Sequence, residues 1–197
     1  MHPLKAVKPF GGTMPLNHSS QYAELSNEHF QAIGRLAVEW SNIEFLLGVL
    51  LSRLLVTPEF LARTYTDRLS GAARQDAINE ACKIHSYRYS YQMISEEQIK
   101  KILDVNNEIT PLRAARNKFA HFCWSRSSDE EIFGTNFSGG IPMGSKYNKS
   151  FVSFTVAELD EIHKKAYAIV DVLSDLILNL PEMEEVALGS KVKLLRE

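Results

Sequence analysis

The chain has 197 residues, enough for one ordinary domain with a real hydrophobic core and too few for a second without a clear linker. Apolar residues at 45% and charged residues at 23% match a globular protein and exclude a disordered or fibrous chain. A formal net charge of −2, from 22 basic and 24 acidic residues, excludes a global field that draws the molecule onto nucleic acid or an anionic membrane, so such contacts must come from a local patch.

Residues 1–22, "MHPLKAVKPFGGTMPLNHSSQY", mix Pro, Gly and isolated apolar residues without a period, which predicts a flexible N-terminal arm. From Ser26 the pattern changes. With Trp40 as origin, Ile33, Leu36, Ala37, Leu47, Leu51 and Leu54 fall within about 60° on a helical wheel, which predicts an amphipathic helix ending before Pro58. Its "FLLGVLL" run is far shorter than the roughly 20 apolar residues that cross a bilayer. No basic stretch followed by an apolar segment opens the chain, so the expected location is cytoplasmic, with no membrane partner. Two cysteines, Cys82 and Cys123, make no disulfide framework and agree with a reducing compartment.

A second helical region is expected over residues 58–89, broken near "SGAAR" at Ser70 and Gly71. Ser95 with Gln98 reads as a capping box that opens a third helix reaching Trp124. Pro111 inside it predicts a kink, or a restart with Thr110 as N-cap. Residues 125–154 combine a Ser- and Gly-rich loop with the strand-like flanks "EEIFGTNF" and "KSFVSFT", which predicts a hairpin insertion. Thr155 and Glu158 form a second capping box before a last helix with Leu159, Ile162, Ala166, Ile169, Val170, Leu173 and Ile177 at helical spacing, stopping at Pro181. Residues 182–197 form a charged tail. The expected architecture is all-α: a bundle of four to five helices over residues 23–181, with a small β-hairpin before the last long helix.

The segment "RAARNKFAHFCW", residues 113–124, carries the most specific chemistry. With Arg116 at zero, Arg113, Asn117, Ala120 and His121 fall within about 140° on one side, while Leu112, Ala115, Phe119, Phe122 and Cys123 fall on the other. One face can enter a core while the other presents guanidinium, amide and imidazole groups together. Arginine grips a phosphate in bidentate fashion, and histidine as a residue type titrates near neutrality, so it can take a proton from a ribose 2′-hydroxyl or give one to a leaving oxygen. Arg116 and His121 lie about 140° and roughly 7.5 Å apart along a straight helix, too divergent for one small group. Two such helices meeting across a twofold axis remove that difficulty.

"RNKFAH" resembles the signature of HEPN (higher eukaryotes and prokaryotes nucleotide-binding) domains: an arginine and a histidine separated by four to six residues, with a polar residue, often asparagine, after the arginine. Arg116, Asn117 and His121 occupy those places. The resemblance implies an α-helical bundle, usually a homodimer, whose paired motifs form a metal-independent endoribonuclease site that needs no cofactor. It implies RNA as substrate, and many relatives are toxins or antiviral defence proteins, so an antitoxin or other regulatory partner is a further expectation. Some relatives are inactive binding modules. A predicted hairpin before the last helix is not part of the minimal bundle.

Supporting residues follow from the pattern. Glu44 falls about 40° from Trp40 in the apolar stripe, where an unpaired charge is costly, so it is expected to pair with Arg113 or Arg116 and orient the active arginine, or else to serve a structural ion pair. Arg113 extends the phosphate-binding stripe or is solvated. "HSYRYSYQ", residues 85–92, sets Arg88 among Tyr87, Tyr89 and Tyr91, a pattern fit either to hold single-stranded RNA or to pack a helix end. The pairs Cys82/His85 and His121/Cys123 have zinc-ligand chemistry, but residues two apart on a helix diverge and Cys123 is expected on the apolar side. The expected function is therefore a HEPN-type endoribonuclease with Arg116, Asn117 and His121 at its centre. The alternatives are a non-catalytic helical module that binds a nucleotide, RNA or protein, and a dimeric scaffold.

Overall fold

A computed structural model describes residues 23–87, 93–138 and 148–183. The order of elements is α1 (Asn27–Leu54), α2 (Glu59–Thr66), α3 (Gly71–Tyr87), α4 (Glu96–His121), β1 (Cys123–Arg126), β2 (Glu131–Ser138), β3 (Asn148–Thr155) and α5 (Val156–Leu178). The chain is mostly helical, with a small antiparallel sheet inserted before the last helix, the class that the sequence predicts. It divides into two compact units, one of Met1–Ala37 with Ala115–His163, the other of Val38–Ala114 with Lys164–Glu197.

In the second unit, α1 buries Trp40, Leu47, Leu51 and Leu54 as its wheel predicts, and Ile43 and Leu50 beside them. Each aliphatic side chain so buried contributes about 1.5–3 kcal/mol. Three devices end the helix. Val56 adopts a left-handed φ of 50°, and its N–H donates to the Arg53 carbonyl (3.0 Å) while that of Thr57 donates to Ser52 (3.4 Å). This is a Schellman closure with valine where glycine is usual, a conformation that costs about 1–2 kcal/mol. Pro58 follows, and the buried His85 ring donates from Nε2 to the Leu54 carbonyl (2.7 Å). The break between α2 and α3 is held by Arg74, whose guanidinium donates to the carbonyls of Thr66 (2.9 Å), Asp67 (3.2 Å) and Glu44 (2.9 Å).

Both predicted capping boxes form. The Gln98 N–H donates to Ser95 Oγ (3.2 Å) and the Ser95 N–H to Gln98 Oε1 (3.0 Å). The Glu158 N–H donates to Thr155 Oγ1 (3.1 Å) and the Thr155 N–H to Glu158 Oε2 (2.8 Å). α4 runs unbroken through Pro111, so there is no restart at Thr110. Pro111 and Asn107, whose carbonyl loses its helical donor, are both exposed, and water can take the donor's place.

In the first unit, Ala32, Leu36, Ile132 and Leu159 form the core, with Leu25, Ile33, Phe119, Trp124, Phe154 and Ile162 packed against it. Ala37, which the wheel places on the apolar stripe, is exposed. The sheet has three strands in the order β1-β2-β3, not the two of the expected hairpin. β1 takes Cys123 and Trp124, which the helical reading assigned to the end of the third helix, because Cys123, Trp124, Ser125 and Arg126 pair with Thr135, Gly134, Phe133 and Ile132. The indole of Trp124 lies over Gly134, where a Cβ would come within 2.7–2.9 Å of three ring atoms. Only glycine leaves room for that ring.

A third capping box escaped the sequence pattern because an imidazole stands where Glu or Gln is usual. The His29 N–H donates to Ser26 Oγ (3.3 Å) and the Ser26 N–H donates to His29 Nδ1 (3.1 Å). Nδ1 must therefore be unprotonated. Burial, then the charge of Arg126, lowers the pKa of this ring below the ordinary 6.5, with Glu28 opposing. As pH falls the unfolded chain takes up this proton first, so the stability contributed by neutral His29 is complete above about pH 6.5 and is lost as pH falls from there toward the folded pKa. Thermal melts from about pH 7 to about pH 5 should therefore show a steeper loss for the wild type than for His29→Gln, which keeps the box without titrating. Equal slopes refute the assignment.

Candidate functional site

Arg116, Asn117 and His121 all lie in the first unit, on the last turns of α4. Asn117 and His121 are exposed and Arg116 is half-buried. Arg116 Nη1 lies 3.4 Å from Asn117 Oδ1 as donor to acceptor, so the amide holds one edge of the guanidinium.

An aromatic cluster fixes the helix end. Phe119 stacks on Trp124 (centroids 5.1 Å apart) and meets Phe154 (5.2 Å), while Phe122 stacks on Trp124 (6.1 Å). Trp124 Nε1 donates to the Phe119 carbonyl (3.4 Å), which uses one carbonyl of the last turn. Only Phe122 separates α4 from β1. The motif therefore sits on a turn clamped from its apolar side, as the two-faced wheel requires. Cys123 departs from that wheel: it is exposed, because as the first residue of β1 it follows strand alternation instead of helical periodicity.

The last turn of α4 carries the basic residues Lys118 and His121, at the end where the helix dipole favours positive charge. The same dipole repels anions. A phosphate bound here must therefore be held by side chains and not by backbone amides, and Arg116, Asn117, Lys118 and His121 supply the donors. Of the other described arginines of this unit, Arg35 pairs with Asp160 (3.7 Å) and Arg126 with Asp129.

Arg113 and Glu44 belong to the second unit, and the expected pair between them is absent. No ion pair of Glu44 within 4 Å occurs among the described residues. Arg113 Nη1 donates instead to Gln75 Oε1. Glu44 is half-buried near Gly71, where a Cβ would lie 3.4 Å from Glu44 Oε1, 3.7 Å from the Trp40 ring and 4.0 Å from Arg113 Cδ. The absent side chain of Gly71 thus leaves a space that the carboxylate shares with an indole and an alkyl stem, so Glu44 keeps contact with solvent instead of pairing.

Gln75 belongs to a buried network that sequence reasoning missed. Its Nε2 donates to the Asn106 carbonyl (2.6 Å), and Asn106 Nδ2 donates to the Gln75 carbonyl (2.9 Å) and to Asn79 Oδ1 (2.9 Å). Each side chain thus bonds the other's backbone, pinning α3 to α4. The signal was present as polar residues at helical spacing, Gln75 with Asn79 and Asn106 with Thr110 and Arg113. Truncating Asn106 to alanine removes its donations to the Gln75 carbonyl and to Asn79 Oδ1 from a buried site, and urea titration should report a loss of about 2 kcal/mol. A loss too small to resolve would show that water replaces the amide.

Cys82 is a core residue whose burial pushes its thiol up to about 11, and His85 is committed to Leu54, so neither stands as a metal ligand. Among the described residues no group of three His, Cys, Asp or Glu side chains is placed to hold a metal ion. Tyr87 ends α3 and is 87% exposed, whereas Arg88 and Tyr91 lie outside the described residues. Among those residues, no single helix is long and apolar enough to cross a membrane. Comparison of the chain with protein-family models, with curated proteins and with solved structures finds no match.

Proposed function

We propose that this chain is a metal-independent endoribonuclease of HEPN type that acts in the cytoplasm as a homodimer, in the manner of a toxin or defence effector held in check by a regulatory partner. The observation that carries the reading is the presentation of Arg116, Asn117 and His121 at the accessible end of α4, on a turn fixed by Phe119 and Trp124. A phosphate-gripping cation and a proton-transfer group are thereby held within one short stretch of helix.

His121 accepts the proton of a ribose 2′-hydroxyl, whose oxygen attacks the adjacent phosphorus. The bond from phosphorus to the 2′-oxygen forms, and that to the 5′-oxygen of the next nucleotide breaks. The corresponding histidine of a second copy protonates the leaving oxygen. Products are a 2′,3′-cyclic phosphate and a 5′-hydroxyl end. Arg116 neutralises the charge that develops on the non-bridging oxygens, and Asn117 holds the guanidinium in place. A second copy is needed because the two side chains diverge along one helix.

The test is incubation of the purified protein with single-stranded and structured RNAs in excess chelator, with the product ends identified by mass spectrometry. Cyclic phosphate ends made by the wild type support the reading. Retained RNA binding without turnover identifies a non-catalytic module instead and overturns it.

A further inference from the structure

α2 is inverted for a surface helix, which ordinarily turns its large apolar side chains inward and its polar ones to water. Its buried residues are the small Ala62 and Thr66. Phe60, Leu61 and Tyr65 are 75%, 64% and 65% exposed. The contacts on the inner side are mostly charged. Arg63 lies over the Phe45 ring of α1 (4.5 Å) and pairs with Asp67 (3.1 Å) and Glu59 (3.8 Å). Gly48 of α1 makes room for them, since a Cβ there would lie 3.5 Å from Asp67 Oδ1 and 3.7 Å from Arg63 Nη1.

On the outer side, Leu61, Thr64, Tyr65 and Arg68 are all exposed and follow the i, i+3, i+4, i+7 spacing of a single stripe. The Arg68 N–H donates to the Tyr65 carbonyl (3.2 Å), so the turn continues past the last helical residue. Arg68 makes no ion pair among the described residues. Glu59 stands at the opposite end of the helix. The stripe is thus apolar at its centre, acidic at one end and basic at the other.

We propose that this outward stripe, centred on Leu61 and Tyr65, is a docking surface for α2 of a second copy of the chain, the two helices lying antiparallel across a twofold axis. In that orientation the stripe complements itself. Each Leu61 meets the partner's Tyr65, and each Arg68 comes opposite the partner's Glu59. Parallel pairing would set like charges against each other. Tyrosine and arginine are also the side chains that most often dominate the energy of a protein contact. A lipid surface fits less well, because Glu59 and Asp67 balance Arg63 and Arg68 and leave no excess positive charge for anionic headgroups.

The contact is small. α2 is about 12 Å long, and the stripe falls short of the roughly 800 Å² per partner that a stable interface takes, so association is expected to depend on concentration. The inference stands apart from the ribonuclease reading: α2 belongs to the second unit, whereas Arg116, Asn117 and His121 belong to the first.

The test is sedimentation velocity of the full chain over a wide range of concentration. The average mass of the wild type is expected to rise with concentration, and Tyr65→Ser should weaken that association about tenfold without lowering the melting temperature. Arg68→Glu alone and Glu59→Arg alone should each weaken it as well, because each variant sets like charges together twice across the axis. Mixed in equal amounts, these two variants should associate as well as the wild type, since both charge pairs are then opposite. A merely structural effect of either substitution would not be repaired by mixing. Tyr65→Ser decides the matter if a charge variant melts early.

A single mass for the wild type at every concentration overturns the proposal. So does association that Tyr65→Ser and both charge reversals leave unchanged, which keeps the pair needed by the ribonuclease reading on another surface. Binding to phosphatidylcholine vesicles that Tyr65→Ser abolishes, with no self-association, overturns it in favour of a membrane surface. The expected pattern in a protein that cuts no RNA supports this contact and overturns the ribonuclease reading alone.

Discussion

Replacing His121 with alanine is expected to lower the rate of RNA cleavage about 10²- to 10⁴-fold, the range that a positioned general acid–base group supplies. The fold should survive the change. His121 is exposed at the end of α4, and the turn that carries it is anchored through Phe119 and Trp124 instead of through the imidazole. Exposed substitutions without a buried partner usually alter stability by no more than about 0.5 kcal/mol. The melting temperature therefore serves as an internal control. Arg116→Lys should also lose activity, because a compact ammonium cannot reproduce the planar fork, nor the donation to Asn117. If both variants cleave at the wild-type rate, the motif is only the polar side of a helix and the catalytic assignment falls.

The Gly134→Ala protein should be destabilised by about 1–3 kcal/mol and should lose cleavage with an unaltered motif. A Cβ at position 134 would meet Trp124 Cζ3 at 2.7 Å and two further ring atoms at 2.9 Å, closer than packed carbons allow. The indole cannot simply swing aside. It is stacked on Phe119 and Phe122, packed against Phe154, and bonded to the Phe119 carbonyl. Relief must come from moving β1 or the last turn of α4, and that turn carries Lys118 and His121. A one-carbon change on β2 is thus transmitted to the proposed chemistry through a single ring. Urea unfolding and cleavage assays on the same preparation check both parts, and wild-type stability with wild-type turnover would show that the sheet yields without moving the helix.

Local periodicity was enough to read most of the helices. The apolar stripe of α1, the interruption between α2 and α3, and the boxes at Ser95 and Thr155 are each written in residues close along the chain, which meet whatever the rest of the molecule does. The separation of Arg116, Asn117 and His121 from Phe119 was legible for the same reason, since a wheel needs only the 3.6-residue turn. The Ser26–His29 box lay equally close in sequence, but its imidazole acceptor falls outside the usual residue types.

Other features were settled by residues distant along the chain. Whether Cys123 and Trp124 prolong a helix or open a strand depends on backbone partners supplied by β2, which outweigh the local pattern once Trp124 finds room over Gly134. Whether Arg113 joins Glu44 depends on Gln75, 38 positions away in sequence, which takes the guanidinium into a network that the carboxylate does not enter. Sequence by itself determined where the helices form and which side chains share a helix face, because those follow from backbone geometry within a few residues. Tertiary structure alone decided which polar groups distant along the chain meet and where α4 gives way to β1, because such a hydrogen bond or ring contact goes to whichever competitor the fold brings within a few ångströms.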